Sequence, residues 1–160
     1  MLILLVEDEA PKAQKVKGCI SEVFVDSEFH VCRSVRSGMD YIDRNRYDLV
    51  VLDMSLPTFD IGEDEFGGRP QGFGGVEIMR DMQNNEILTP VIVVTAYETF
   101  PLLGDEESEP SKEVSILELS HMLKEEFPEN FVELIRYDTY LSDWKDSLVL
   151  SIKSLGASEK

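Results

Sequence analysis

Leu49-Val50-Val51-Leu52-Asp53 is the stretch around which the rest of the chain can be organised. Four aliphatic residues without a polar break read as a strand buried on both faces, the habit of a central strand in a parallel sheet. A carboxylate at its end then stands at the sheet edge where such folds bind ligands. Two further runs share this build: Leu2–Val6, followed by Glu7-Asp8, and Val91–Val94, followed by Thr95. Phe29–Cys32 and Phe131–Ile135 complete five expected strands, the last leading into Arg136-Tyr137.

Helical periodicity fills the intervals. Ala13, Val16, Ile20 and Val23/Phe24 recur at steps of three and four, which predicts a helix from about Ala10 to Phe24. A second spans Val35 to Arg44 with Met39 and Ile42 inward, and a third runs from Gly75 to about Gln83 on Val76 and Met79. A fourth is expected from about Lys112 to Phe127, ended by Pro128. The last carries Leu141, Trp144, Leu148, Ile152 and Leu155, with Gly156 expected as its stop signal. Strands alternating with helices imply right-handed crossovers and an α/β layered fold.

Bulk properties bound the function. The 160 residues and 42% hydrophobic content suit one domain, 1–160, with a core of ordinary size. No apolar run approaches the roughly 20 residues of a membrane helix. The start, Met1 to Val6, lacks the basic region of an export signal, so a cytoplasmic protein is expected. Cys19 and Cys32 have no metal-type spacing and read as inert buried thiols. Fifteen basic against 32 acidic residues give a net charge of −17, which argues against direct nucleic-acid binding and against an anionic membrane surface.

If the strand carrying Asp53 neighbours those ending at Glu7-Asp8 and Thr95, three carboxylates converge with a hydroxyl, and Arg136 adds a cation. Carboxylates so close repel unless something positive sits among them. Mg²⁺ suits such a site, taking oxygen ligands while keeping waters that a phosphoryl oxygen can replace. Asp53 is then placed as a nucleophile towards phosphorus, with Thr95 and Arg136 able to bind the transferred group. Each residue also has a plainer reading. Glu7-Asp8 precedes a helix, where carboxylates favour the N-terminus in any case; Asp53 reads equally as the first loop residue after its strand, Thr95 as a structural residue and Arg136 as a solvated surface residue.

Four segments resemble the response-regulator receiver domain: Ile3-Leu4-Leu5-Val6-Glu7-Asp8-Glu9, Tyr47 to Pro57, Gly74 to Arg80, and Thr89 to Ala96. The resemblance implies a flavodoxin-like, doubly wound sheet of five parallel strands in order 2-1-3-4-5, with five helices. It implies that Asp53 is the phosphoacceptor, that Glu7 and Asp8 bind Mg²⁺ with Asp53 and the Ser55 backbone carbonyl, and that Thr95 is the switch hydroxyl. A histidine kinase or phosphotransfer protein would donate, and an unidentified protein downstream would receive the signal. The surface of the fourth helix, fifth strand and fifth helix would receive it, near Glu133, Tyr137, Tyr140 and Trp144, with Trp144 itself expected in the core. With only five residues after Leu155, any output is expected in trans. The chemistry expected is transfer from a donor and self-dephosphorylation, not metabolic catalysis.

Three departures accompany the likeness. The family's Lys-Pro after the fifth strand is absent; Arg136 and Tyr137 take those positions, and Lys145 and Lys153 lie on the last helix, poorly placed to substitute. Glu133 stands where many receivers have an aromatic switch residue, leaving Tyr97, Phe131 and Tyr137 as stand-ins. Two loops are enlarged, at about 58–74 and 98–112, and Phe59, Ile61, Phe66 and Phe73 suggest that the first covers the pocket edge or meets a partner. An alternative function follows: a pseudo-receiver that binds proteins independently of phosphate. A haloacid-dehalogenase-like hydrolase would need a second Asp at position 55, which is Ser55. A flavin binder would need a Ser/Thr/Gly phosphate loop after the first strand.

Overall fold

The computed structural model describes residues 1–59, 74–96, 99–101, 113–138 and 140–158. In chain order the elements are β1 (Leu2–Val6), α1 (Ala10–Val23), β2 (Glu28–Cys32), α2 (Val35–Arg44), β3 (Leu49–Leu52) and α3 (Gly74–Asn84). There follow β4 (Val91–Thr95), β5 (Thr99–Pro101), β6 (Glu113–Ser115), α4 (Ile116–Glu126), β7 (Phe131–Arg136) and α5 (Asp143–Ser158). Five parallel strands form one sheet in the order β2-β1-β3-β4-β7, which is the 2-1-3-4-5 order of a doubly wound, flavodoxin-like fold. Because every pairing is parallel, the carboxyl ends of β1, β3, β4 and β7 share one edge.

β3 and β4 are buried along their whole length, and their side chains alternate between two cores. Leu4, Val6, Val50, Leu52, Val91 and Val93 face α2, α3 and α4; Ile3, Leu5, Leu49, Val51, Ile92 and Val94 face α1 and α5. Each such aliphatic side chain stabilises the fold by roughly 1.5–3 kcal/mol. Trp144 lies in the second core, as its place on the helical stripe predicts, and Cys19 and Cys32 are buried. Among the described residues no helix is long and apolar enough to cross a membrane.

Three boundaries differ from the sequence reading. α5 begins at Asp143, which leaves the expected Leu141 outside it and exposed. The fourth helix begins at Ile116, not near Lys112, because Glu113–Ser115 pairs antiparallel with Thr99–Pro101, and Ser115 Oγ then caps α4 by accepting from Glu118 N at 3.2 Å. Gly156 lies inside α5 rather than beyond it; a single exposed Gly costs a helix only about 1 kcal/mol. Of the first enlarged loop, Phe59 is described: it is exposed, with the Arg36 guanidinium 6.0 Å from its ring centre. Ile61, Phe66, Phe73 and Tyr97, and positions 102–112, lie outside the described residues.

Candidate functional site

β1 and β3 run side by side, with Val6 opposite Leu52, so Glu7 and Asp53 leave neighbouring strands at the same level. One carboxylate oxygen from each of Glu7, Asp8 and Asp53 lies within 4.8 Å of the others. Glu7 and Asp53 are buried and Asp8 half-buried. The N-cap of α1 is Glu9, whose side chain makes no capping bond, and Glu7 Oε1 instead accepts from Glu9 N at 3.1 Å.

Asp53 is oriented from its own backbone neighbour, Met54 N donating to Oδ1 at 2.8 Å. The Gly74-Gly75 pair explains how α3 comes so near. A Cβ on Gly75 would stand 2.6 Å from the Asp53 carbonyl oxygen and 2.5 Å from Met54 Cε, so no side chain fits. Ser55, two residues on, is buried beside it. Thr95 ends β4 fully buried, and among the described residues its Oγ1 has no hydrogen-bond partner. Buried hydroxyls are rarely left so, and this one stands at the carboxyl end of β4, the strand beside that of Asp53.

The sequence reading missed one residue of this cluster. Lys12, 2% exposed, places Nζ 2.7 Å from Glu7 Oε2 and 3.3 Å from Asp53 Oδ2, and donates to the Val94 carbonyl at 2.8 Å. The signal was available: Lys12, Val16 and Ile20 stand four residues apart, so Lys12 occupies the first place on the buried stripe of α1. The Tyr137 ring lies 5.6 Å from Nζ and packs on Trp144 at 4.9 Å between centroids. Arg136, the expected cation, pairs with Thr95 in register but is exposed at the end of an edge strand. Glu133 is exposed on the same strand and accepts a hydrogen bond from Ser151.

Electrostatics follow the burial. Removal from water pushes the Glu7 carboxyl up to about 8, with Lys12 opposing and Asp53 adding to the rise. Burial and then the Asp53 charge raise Asp8 above the usual carboxylate range. For Lys12, burial works against the ammonium, but the Asp53 and Glu7 charges outweigh it and hold its proton more tightly than usual. Even with Glu7 protonated, two further carboxyl groups stand against one ammonium, so the cluster is short of positive charge. This donor set fits a hard divalent cation: all oxygen, closely grouped and open on the Asp8 side.

Comparison with known proteins identifies the family of the fold. The family profile of the response regulator receiver domain matches residues 3–105. The Detocs response regulatory protein DtcB of Enterobacter cloacae (strain JD6301) is 26% identical over 157 residues, 97% of this chain and 100% of that protein. Among solved structures, the receiver domain of the Francisella response regulator 1452 superposes with a TM-score of 0.62 at 18% identity, covering 99% of this chain and 98% of the other. The receiver domain of the sensor histidine kinase PA1611 from Pseudomonas aeruginosa PAO1, with a magnesium ion coordinated in its active-site cleft, gives 0.57 at 17% identity over 97% of both. With its profile match spanning most of the chain and its strand order that of a doubly wound sheet, this chain belongs to the response regulator receiver family.

Proposed function

We propose that this receiver binds Mg²⁺ through Glu7, Asp8, Asp53 and the Ser55 carbonyl, and accepts a phosphoryl group on Asp53. The donor is a histidine kinase or phosphotransfer protein, and the signal passes to a downstream protein. The observation that carries the reading is the meeting of the three carboxylates at the sheet edge where the adjacent β4 ends in Thr95, whose hydroxyl has no partner among the described residues. The name of the Enterobacter relative, a response regulatory protein, supports a signalling role.

In the transfer, an Asp53 carboxylate oxygen attacks phosphorus while the bond from phosphorus to the donor nitrogen breaks. The electron pair stays with the nitrogen, which takes up a proton. Met54 N–H orients the nucleophile through Oδ1. Thr95 donates its unused hydroxyl hydrogen to a phosphoryl oxygen. Mg²⁺, when bound, supplies positive charge against the transferring group. The test is mass spectrometry after incubation with Mg²⁺ and a small phosphodonor: wild type gains one phosphoryl group and Asp53→Asn gains none. A wild type that remains unmodified, and whose fluorescence does not respond to Mg²⁺, sinks the reading.

The pseudo-receiver reading has one observation on its side. Lys12 already pairs with both Glu7 and Asp53, giving the carboxylates an internal counter-ion. It predicts that neither Mg²⁺ nor a phosphodonor changes the protein, so the same experiment separates the two.

A further inference from the structure

We propose that Lys12 is the cation that receives the phosphoryl group on Asp53, working from the first turn of α1 in place of a residue at the end of the last sheet strand. The inference rests on the phosphoacceptor reading and adds to it the residue that binds the product.

The geometry is already close to what binding requires. The three hydrogens of the ammonium are matched by three acceptors: Glu7 Oε2 at 2.7 Å, the Val94 carbonyl at 2.8 Å and Asp53 Oδ2 at 3.3 Å. The Val94 bond is made at the residue before Thr95, so the ammonium is held at the strand end that also carries the unpartnered hydroxyl. When Asp53 becomes an acyl phosphate, its own negative charge is lost and new charge appears on phosphoryl oxygens just beyond. The longest of the three contacts, that to Asp53, then has only to pass to one of those oxygens. A compact ammonium on a flexible stem makes such a shift more readily than a planar guanidinium. Arg136 is exposed at the strand end, where an ion contact is screened by solvent.

Lys12 does not stand in for the metal. One ammonium among three carboxyl groups leaves the cluster short of positive charge, and its bonds leave Asp8 without a cation at ion-pair distance among the contacts described. Removing the ammonium therefore has opposite consequences for the two ligands: a divalent cation meets less repulsion, whereas a phosphoryl group loses a charged donor. A residue that only held the fold together would weaken both. Tyr137, in contact with both Lys12 and Trp144, makes the chain's single tryptophan a local reporter.

The experiment uses the full chain. Mg²⁺ is titrated by Trp144 fluorescence, and beryllofluoride, a stable phosphoryl mimic, is then titrated at saturating Mg²⁺ by fluorine NMR. Lys12→Gln is expected to weaken beryllofluoride about tenfold or more, a charge-assisted hydrogen bond being lost, while Mg²⁺ binds as tightly as in wild type or more so. Lys12→Arg is expected to recover part of the loss, and Arg136→Gln to cost less than Lys12→Gln. Equal beryllofluoride affinity in Lys12→Gln and wild type, a larger loss in Arg136→Gln, or a parallel loss of both ligands overturns the inference. Wild type that takes up no beryllofluoride overturns the phosphoacceptor reading itself, and this inference with it. Should Lys12→Gln fail to fold, Glu7→Gln/Lys12→Gln, which removes opposite charges together, is read against Glu7→Gln alone.

Discussion

The two ends of the sheet are built on opposite terms. At the amino ends of β4 and β7, Asn130 is buried and its amide nitrogen donates to the carbonyls of Ile87 at 2.7 Å and Thr89 at 2.9 Å. Its backbone carbonyl accepts from Val91 N at 2.8 Å, so this buried residue is tied into the corner by hydrogen bonds on both sides. At the carboxyl ends, one ammonium pairs with two of the three clustered carboxylates, and among the described residues the Thr95 hydroxyl has no partner. The difference separates structure from function: a corner tied by its own hydrogen bonds needs no ligand, and a corner short of positive charge with an unpartnered donor gains from one.

The contrast can be broken most forcefully at Lys12. Lys12→Met leaves Glu7 and Asp53 buried without their counter-ion, and is expected to cost about 3–5 kcal/mol in urea unfolding without divalent ions. Added Mg²⁺ should recover part of that loss. A variant as stable as wild type would mean that the carboxylates do not depend on the ammonium.

A smaller effect is expected from pH. The Glu7 carboxyl is raised from about 4.5 to about 8 in the folded protein, so folding takes up protons between these values. The stability this proton contributes is fully present below about pH 4.5 and is lost as pH rises through about 8. Asp8, also raised, acts in the same direction. In metal-free buffer, wild-type Tm should therefore fall between pH 5 and 8 more steeply than that of Glu7→Gln; parallel curves would contradict the assignment. At the amino end, Asn130→Ala leaves the Ile87 and Thr89 carbonyls without their donor and should cost about 1–3 kcal/mol. Beryllofluoride affinity should stay that of wild type, and a change there would show the two ends to be coupled.

What could be read without coordinates was what repeats along the chain. The runs Leu2–Val6, Leu49–Leu52 and Val91–Val94 announced buried parallel strands because nothing polar interrupts them, and the carboxylates that follow marked the edge to inspect. The short pair β5–β6 was not legible, since three-residue strands carry no period and exist through each other. The bulge near Val91, where pairing moves from Phe131 to Glu133 and passes over Val132, was likewise invisible in the pattern.

The sequence by itself therefore determined the alternation of strands and helices and the placing of Glu7, Asp8, Asp53 and Thr95 at strand ends, because hydrophobic period and chain order are local properties. Only the tertiary structure decided which cation meets Asp53. Lys12 and Arg136 lie 41 and 83 residues from it along the chain, and that separation says nothing of distance in space. Packing of α1 on the sheet carries Lys12 into the carboxylates, where burial strengthens the charge contact, and the edge position of β7 leaves Arg136 towards solvent.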